Sequence, residues 1–123
     1  MTRPLLAFVA MAALSLSTAA YAQSADDGRA VFKQNCSLCH DVAPDKNRIG
    51  PSLFGIMGRK TGSVPGFHYS VANKGADITW SAAILDRYLM SPREAIPGTT
   101  MTFAGLKDEQ KRRDLIAYLA TLH

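Results

Sequence analysis

The sequence lacks several features that define large classes of proteins. It has only two cysteines among 123 residues, which excludes a scaffold held by several disulfides. No alternation of apolar and polar residues is long enough to predict a sheet, and no internal repeat or second domain appears. The longest apolar run, residues 5–14, is too short for a membrane span, which needs about 20 residues. What remains is one domain of globular composition, 47% apolar and 20% charged.

Residues 1–22 are typical of a secretory signal peptide. Arg3 provides the positive charge, residues 5–14 form the apolar centre, and Tyr21 lies between Ala20 and Ala22 as in an A-x-A cleavage site. We therefore expect cleavage after Ala22, export to the periplasm, and a functional domain over residues 23–123. The alternative is an uncleaved anchor.

The exported part would contain few large apolar side chains. Of its 101 residues, only 29 are apolar residues other than alanine and cysteine. A core of this size usually needs a crosslink, a metal or a buried cofactor. Cleavage would change the net charge from +4 to +3. Because the basic residues are scattered, the sequence favours a docking surface for a partner protein over nucleic-acid binding.

Apolar periodicity predicts an all-α domain. The first helix starts in the polar stretch 24–27, and its apolar spacing continues into the cysteines. The predicted face consists of Gly28, Val31, Phe32, Asn35, Cys36 and Cys39. Gly28 is costly inside a helix but tolerable where another helix crosses closely. Further helices are predicted over residues 69–74, 81–90 and 108–122, with a short turn that starts at Ser91-Pro92.

Residues 40–66 are rich in glycine and proline and predict loops, with at most one turn of helix near residues 53–57. A compact domain seldom contains this much irregular chain unless the chain wraps something.

Residues 36–40, Cys-Ser-Leu-Cys-His, form the C-x-x-C-H pattern of c-type haem attachment. On a helix, Cys36, Cys39 and His40 share one face. The two thiols could therefore add to the two vinyl groups on one edge of a haem, while the imidazole reaches the iron. A thioredoxin-like redox pair would need a preceding strand, and structural zinc would need a fourth ligand. A haem would also supply the missing core.

The other side of the iron has several candidate ligands. Electron transfer favours a filled sixth position, and methionine in that position raises the reduction potential of the iron. Position favours Met101, which lies on a long loop after Pro97-Gly98 that can cross to the far face of the haem. The full set of candidates is Met57, Met90, Met101, His68 and His123.

The sequence resembles the class I cytochrome c family, of the bacterial cytochrome c2 and mitochondrial cytochrome c type, because several further motifs follow one another in the order found in that family. The resemblance covers about residues 27–122. Its motifs are residues 28–32, 49–51, 53–62, 67–70, 72–74, 78–80 and 96–106, of which the last resembles the loop of the methionine ligand. The resemblance implies the class I cytochrome c fold, with three main helices plus short helices and loops wrapped around one covalent haem c.

The resemblance also implies roles for single residues. Met101 would be the sixth iron ligand, and the Pro51 carbonyl would bond the His40 ring and fix its tautomer. Gly28 and Phe32 would meet Leu115 and Tyr118 where the terminal helices cross. The haem propionates would be held by Arg59, Tyr69 and Trp80, joined by Thr99. A buried water near the Met101 sulfur would be surrounded by Asn73, Tyr88 and Thr99, and the haem edge would be covered by Phe103.

The function implied by the resemblance is that of a soluble, monomeric one-electron carrier, not an enzyme. Lys33, Lys60 and Lys107, with Phe103, would ring the exposed haem edge and form the docking face. The expected partners are redox proteins such as a bc1-type complex, an oxidase, a photosynthetic reaction centre or a periplasmic dehydrogenase, and neither nucleic acid nor membrane insertion is expected. The basic ring is thin, because Asn35 and Thr100 stand where lysine is frequent in the mitochondrial proteins.

Two alternatives remain at this point. A peroxidase or gas-reactive haem protein would need an open sixth position and a distal acid–base group, for which His68 is the one stray candidate. A fixed haem subunit of a dehydrogenase complex would carry the same motifs as a free carrier.

Overall fold

The computed structural model describes residues 22–123, so the predicted signal peptide, apart from its last residue, lies outside the described part. Five helices follow one another along the chain: α1 (Ala25–Asn35), α2 (Val71–Gly75), α3 (Ala82–Met90), α4 (Pro92–Ala95) and α5 (Glu109–Leu119). In the described range the only β-pairing is an isolated bridge between Lys60 and Thr79. The prediction of an all-α domain with three main helices and additional short ones is therefore confirmed.

The three long helices each begin at a polar side chain that accepts a hydrogen bond from the first turn. Ser24 starts α1, Ser81 starts α3, and Asp108 starts α5. Such caps satisfy N–H groups that have no partner within the helix. Ser91 precedes α4 as predicted, but its side chain makes no capping bond. The last helix is shorter than predicted, since it ends at Leu119. Within residues 22–123, no helix has the length and apolar character needed to cross a membrane.

The attachment motif is not helical, which corrects the prediction from spacing. α1 ends at Asn35, and Cys36 leaves the helical conformation with a φ of −121°. The N–H groups of Cys39 and His40 then donate to the carbonyl of Cys36 at 3.1 and 2.9 Å. A turn closed by these two bonds groups the three side chains as a helical face would have done. Residues 53–57 likewise form turns, not a helix.

The first and last helices cross where the sequence predicts. At Gly28, an added Cβ would overlap the backbone carbonyl of Asp114, so only glycine permits this approach. The rings of Phe32 and Tyr118 lie 5.8 Å apart on the same contact, and Leu115 is 1% exposed beside them. This crossing joins the two ends of the domain and holds the loops between them in place.

The third helix supplies the opposite part of the core. Leu85, Tyr88 and Leu89 are its buried residues, and the Tyr88 ring packs edge-on against Trp80 with centroids 4.8 Å apart. The irregular segments before α2 and before α5 run around the space between these helices.

Candidate functional site

Helices and loops enclose a cavity of about 410 Å³ that is lined mainly by apolar groups. The turn after α1 contributes Cys36, Cys39 and His40 to its wall. The loop before α5 contributes residues 99–103, which include Met101. Two distant parts of the sequence that carry the predicted chemistry therefore line one cavity.

His40 is fixed in the wall by its neighbours. Its Nδ1 lies 2.7 Å from the carbonyl oxygen of Pro51, and because a carbonyl only accepts, Nδ1 carries the proton. At Gly50, an added Cβ would overlap the imidazole, so the chain can pass this closely only as glycine. Burial lowers the pKa of His40, an effect opposed by the bond to Pro51 and reinforced by the positive charge of Arg59. The ring is therefore neutral near pH 7, with an unprotonated Nε2 that can bind a metal.

The two cysteines are free, partly buried thiols. Burial, followed by the proximity of Cys39, raises the pKa of the Cys36 thiol to about 11, so this group is protonated at neutral pH. Among residues 22–123, no cluster of three or more His, Cys, Asp or Glu side chains is arranged to hold a metal ion. The zinc alternative thus has no ligand set in the described part of the chain.

Among the candidates for the sixth ligand in the described residues, only Met101 lines the cavity. Met57 and Met90 lie elsewhere, and so do His68 and His123. The hydroxyl of Tyr88 donates to the Met101 sulfur at 3.1 Å. The thioether is thereby held at the cavity wall by a residue of α3.

Tyr88 is the centre of a small polar group in the mainly apolar wall of the cavity. Burial raises the pKa of its phenol, and hydrogen bonds with the side chains of Thr99 and Asn73 partly offset that effect. Asn73 is itself oriented by the Ser70 hydroxyl, which donates to its Oδ1 at 2.8 Å. The structure therefore brings together the three residues that the resemblance places near the methionine sulfur.

A second polar group lies at Arg59, Tyr69 and Trp80, which all line the cavity. Nη1 of Arg59 donates to the backbone carbonyls of Ser52 and Phe54 at 2.9 and 3.1 Å, which leaves its other N–H groups for an anion. Burial lowers the Arg59 pKa, although a guanidinium remains charged under all ordinary conditions. These residues can bind a carboxylate by charge and hydrogen bonding.

The predicted docking lysines differ in their surroundings. Lys60 lines the cavity and forms an exposed ion pair with Asp77 at 2.6 Å. Lys107 donates from Nζ to the backbone carbonyl of Met90 at 2.6 Å. Lys33 is exposed in the last turn of α1. Phe103 lines the cavity and is half-buried.

Sequence reasoning missed three residues beside the attachment turn. Leu38 and Ile49 line the cavity although they are 78% and 75% exposed. Arg48 donates to the carbonyls of Ser37 and Leu38 at 2.9 and 3.3 Å, and it thereby bridges the two residues between the cysteines. Periodicity contains no signal for these contacts, because all three residues lie in irregular chain.

Comparison with known proteins finds one matching family and several similar chains. The model of the cytochrome c family matches residues 25–123. Cytochrome c2 of Blastochloris viridis is 51% identical over 108 residues, which cover 87% of this chain and 84% of that protein. Cytochrome c2 of Rhodomicrobium vannielii is 47% identical over 119 residues, with 94% of each chain covered. Cytochrome c of Gibberella zeae is 52% identical over 93 residues, which cover 75% of this chain and 88% of that protein.

Proposed function

The chain belongs to the cytochrome c family, and on that premise we propose that it is a periplasmic electron carrier in which Cys36 and Cys39 attach the haem while His40 and Met101 bind the iron. Membership of the family makes it an electron-transfer protein with one covalently bound haem c, not an enzyme. The observation that carries the residue assignment is that both thiols, one imidazole and one thioether line the same cavity.

The donor set suits a haem. The walls are mainly apolar, both thiols are free, and His40 has an unprotonated Nε2 because its Nδ1 donates to Pro51. The bound haem supplies an iron that takes up and releases one electron. His40 and Met101 would hold that iron, and a histidine–methionine ligand pair raises the reduction potential of a haem iron.

The surrounding residues have supporting roles in this proposal. The Pro51 carbonyl fixes the tautomer and orientation of His40. The Tyr88 hydroxyl holds the Met101 sulfur, with Asn73 and Thr99 beside it. Arg59, Tyr69, Trp80 and Thr99 would bind the propionates and Phe103 would cover the haem edge; all five residues line the cavity. With His40 and Met101 both holding the iron, no ligand site would be left open for a substrate.

The location and partners follow from the same proposal. Residues 1–22 are removed as a signal peptide and residues 23–123 act in the periplasm. The face that bears Lys33, Lys60, Lys107 and Phe103 docks briefly on a bc1-type complex, an oxidase, a photosynthetic reaction centre or a periplasmic dehydrogenase. Encounters of this kind use interfaces below about 1,200 Å². Size-exclusion chromatography of the native periplasmic fraction distinguishes a free carrier from a fixed subunit, since a free carrier elutes at the mass of one chain.

The ligand assignment is tested by comparing two methionine variants. Met101→Ala should lose the weak long-wavelength band that sulfur ligation gives the ferric protein, lower the reduction potential, and bind azide or carbon monoxide. Met57→Ala is the matched control, because Met57 is also partly buried but does not line the cavity, and it should keep all three properties. An unchanged potential together with no ligand binding in Met101→Ala would reject Met101 as the ligand.

A further inference from the structure

Arg112 is a buried cation that the proposed function does not use. It lies on α5 and is only 5% exposed. Its Nε donates to Oδ1 of Asp86 on α3 at 2.8 Å. The Arg112 side chain is 7% exposed and the Asp86 side chain 41%. A guanidinium buried to this extent needs its partners, because a buried charge that loses one is strongly destabilised.

The other edge of Arg112 holds the chain that precedes α5. Nη1 donates to the backbone carbonyls of Leu106 and Lys107 at 2.9 and 3.0 Å. These two residues form the end of the loop that carries Met101. One side chain therefore connects the end of this loop to α5, where Arg112 originates, and to α3, where Asp86 lies.

The same loop end rests on the last turn of α3. The N–H of Leu106 donates to the Leu89 carbonyl at 2.8 Å, and Nζ of Lys107 donates to the Met90 carbonyl at 2.6 Å. At Gly105, an added Cβ would overlap that Met90 carbonyl. Asp86 lies one turn earlier on this helix, on the same face as Leu89 and Met90, so the ion pair and the two hydrogen bonds attach the loop end to one face of α3.

The stretch between Met101 and Leu106 has few restraints of its own. Within the described residues, the backbone N–H groups of residues 102–105 donate to no protein acceptor. The Met101 N–H donates only to the Thr99 hydroxyl, at 3.3 Å. Beyond the bond from Tyr88 and the packing of Met101 and Phe103 against the core, the position of the Met101 sulfur thus depends on how firmly residues 106 and 107 are attached to α3.

We propose that Asp86 and Arg112 are positioning residues for Met101, acting as a clamp that holds the end of its loop against the helix that carries Tyr88. This inference rests on the proposed role of Met101 as an iron ligand. The clamp sets how often the sulfur leaves its position, and so how readily an external ligand can take its place. Neither residue touches the cavity, so the effect passes through the loop.

The test is imidazole binding to the ferric holoprotein. Asp86→Ala leaves Arg112 with no carboxylate, so residues 106 and 107 are held less firmly, and we expect the affinity for imidazole to rise by about tenfold, which corresponds to about 1.4 kcal/mol. Glu109→Ala is the matched control, because it breaks the exposed pair with Arg113 on the same helix and should leave the affinity unchanged. Asp86→Glu keeps the charge and should restore much of the wild-type behaviour.

Asp86→Asn covers the case in which the alanine variant does not accumulate as a haem protein. It keeps the shape of the side chain but weakens the bond to Nε, so we expect a several-fold increase in imidazole affinity. Wild-type affinity in whichever of Asp86→Ala and Asp86→Asn accumulates as a haem protein would overturn the clamp, and so would an equal rise in Glu109→Ala. Met101→Ala, measured in parallel, separates the two proposals: strong imidazole binding by that variant alone supports the ligand assignment and rejects the clamp.

Discussion

Gly28 offers the sharpest test of how the two terminal helices are held together. Replacement by alanine adds a single methyl group, whose position on the existing backbone overlaps the carbonyl of Asp114 and lies 2.9 Å from the Tyr118 Cβ. The obstruction is backbone, so no change of side-chain rotamer can relieve it. The helices must move apart, which separates the Phe32 and Tyr118 rings and loosens the buried contacts of Leu115.

The change in the free energy of unfolding caused by Gly28→Ala is the sum of two effects of opposite sign. Alanine is a better helix former than glycine by about 1 kcal/mol. Overpacking of a tight contact costs typically about 1–3 kcal/mol and occasionally more, and the upper end applies here because the contact is with a rigid carbonyl. The net expectation is a loss of about 2 kcal/mol in the free energy of unfolding, which lowers Tm by roughly 10 °C in a domain of this size.

Gly75 provides the matched control for Gly28→Ala. It is also helical, at the end of α2, but an added Cβ would meet nothing within 4 Å. Gly75→Ala should therefore leave stability unchanged or raise it by up to about 1 kcal/mol. Denaturant unfolding of the two holoproteins under identical conditions gives both values. If Gly28→Ala is as stable as Gly75→Ala, the close crossing does not limit this position and the reasoning fails.

Three other predictions concern attachment, docking and pH. The double variant Cys36→Ala, Cys39→Ala should lose covalent haem, and haem that stays with the denatured polypeptide through an acid–acetone wash would contradict the attachment. Changing Lys60 and Lys107 to glutamine should slow electron transfer with a redox partner mainly through the association rate, with an effect that fades as salt screens the charges; equal losses at all ionic strengths would exclude the docking face. Burial raises the pKa of Tyr88 above 10.0, so its contribution to stability is complete below pH 10 and declines above it. Tyr88→Phe should remove that part of the pH dependence, as measured by denaturant unfolding on either side of pH 10.

Much of the fold follows from local sequence patterns. The apolar stripe of residues 81–90 predicts α3 to within one residue, and the glycine at position 28 predicts a close helix crossing. The attachment motif misleads in one respect, because spacing of three and four residues fits a turn after a helix as well as the helix itself. The end of α1 depends on the backbone conformation of Cys36, which composition does not encode.

The candidate site, like the fold, is predicted by the sequence only in part. The C-x-x-C-H motif identifies one wall of the cavity directly, whereas spacing alone left five candidates for the opposite ligand. Position in the chain favours Met101 among them, the family resemblance implies the same residue, and the cavity adds a geometric reason. The ion pair of Asp86 with Arg112 had no signal at all, because periodicity assigns charged residues to the surface and cannot indicate that α5 buries Arg112.

The position of the crossing helices has a consequence for how sequences of this kind can vary in length. The contact between α1 and α5 closes the segment of residues 36–108, which contains α2, α3 and α4. The entropic cost of closing a flexible segment grows only slowly with its length, by about 0.6 kcal/mol for each doubling. Insertions in the exposed segments between the helices should therefore be tolerated. At the contact between Gly28 and Asp114, by contrast, one added carbon atom exceeds the available space.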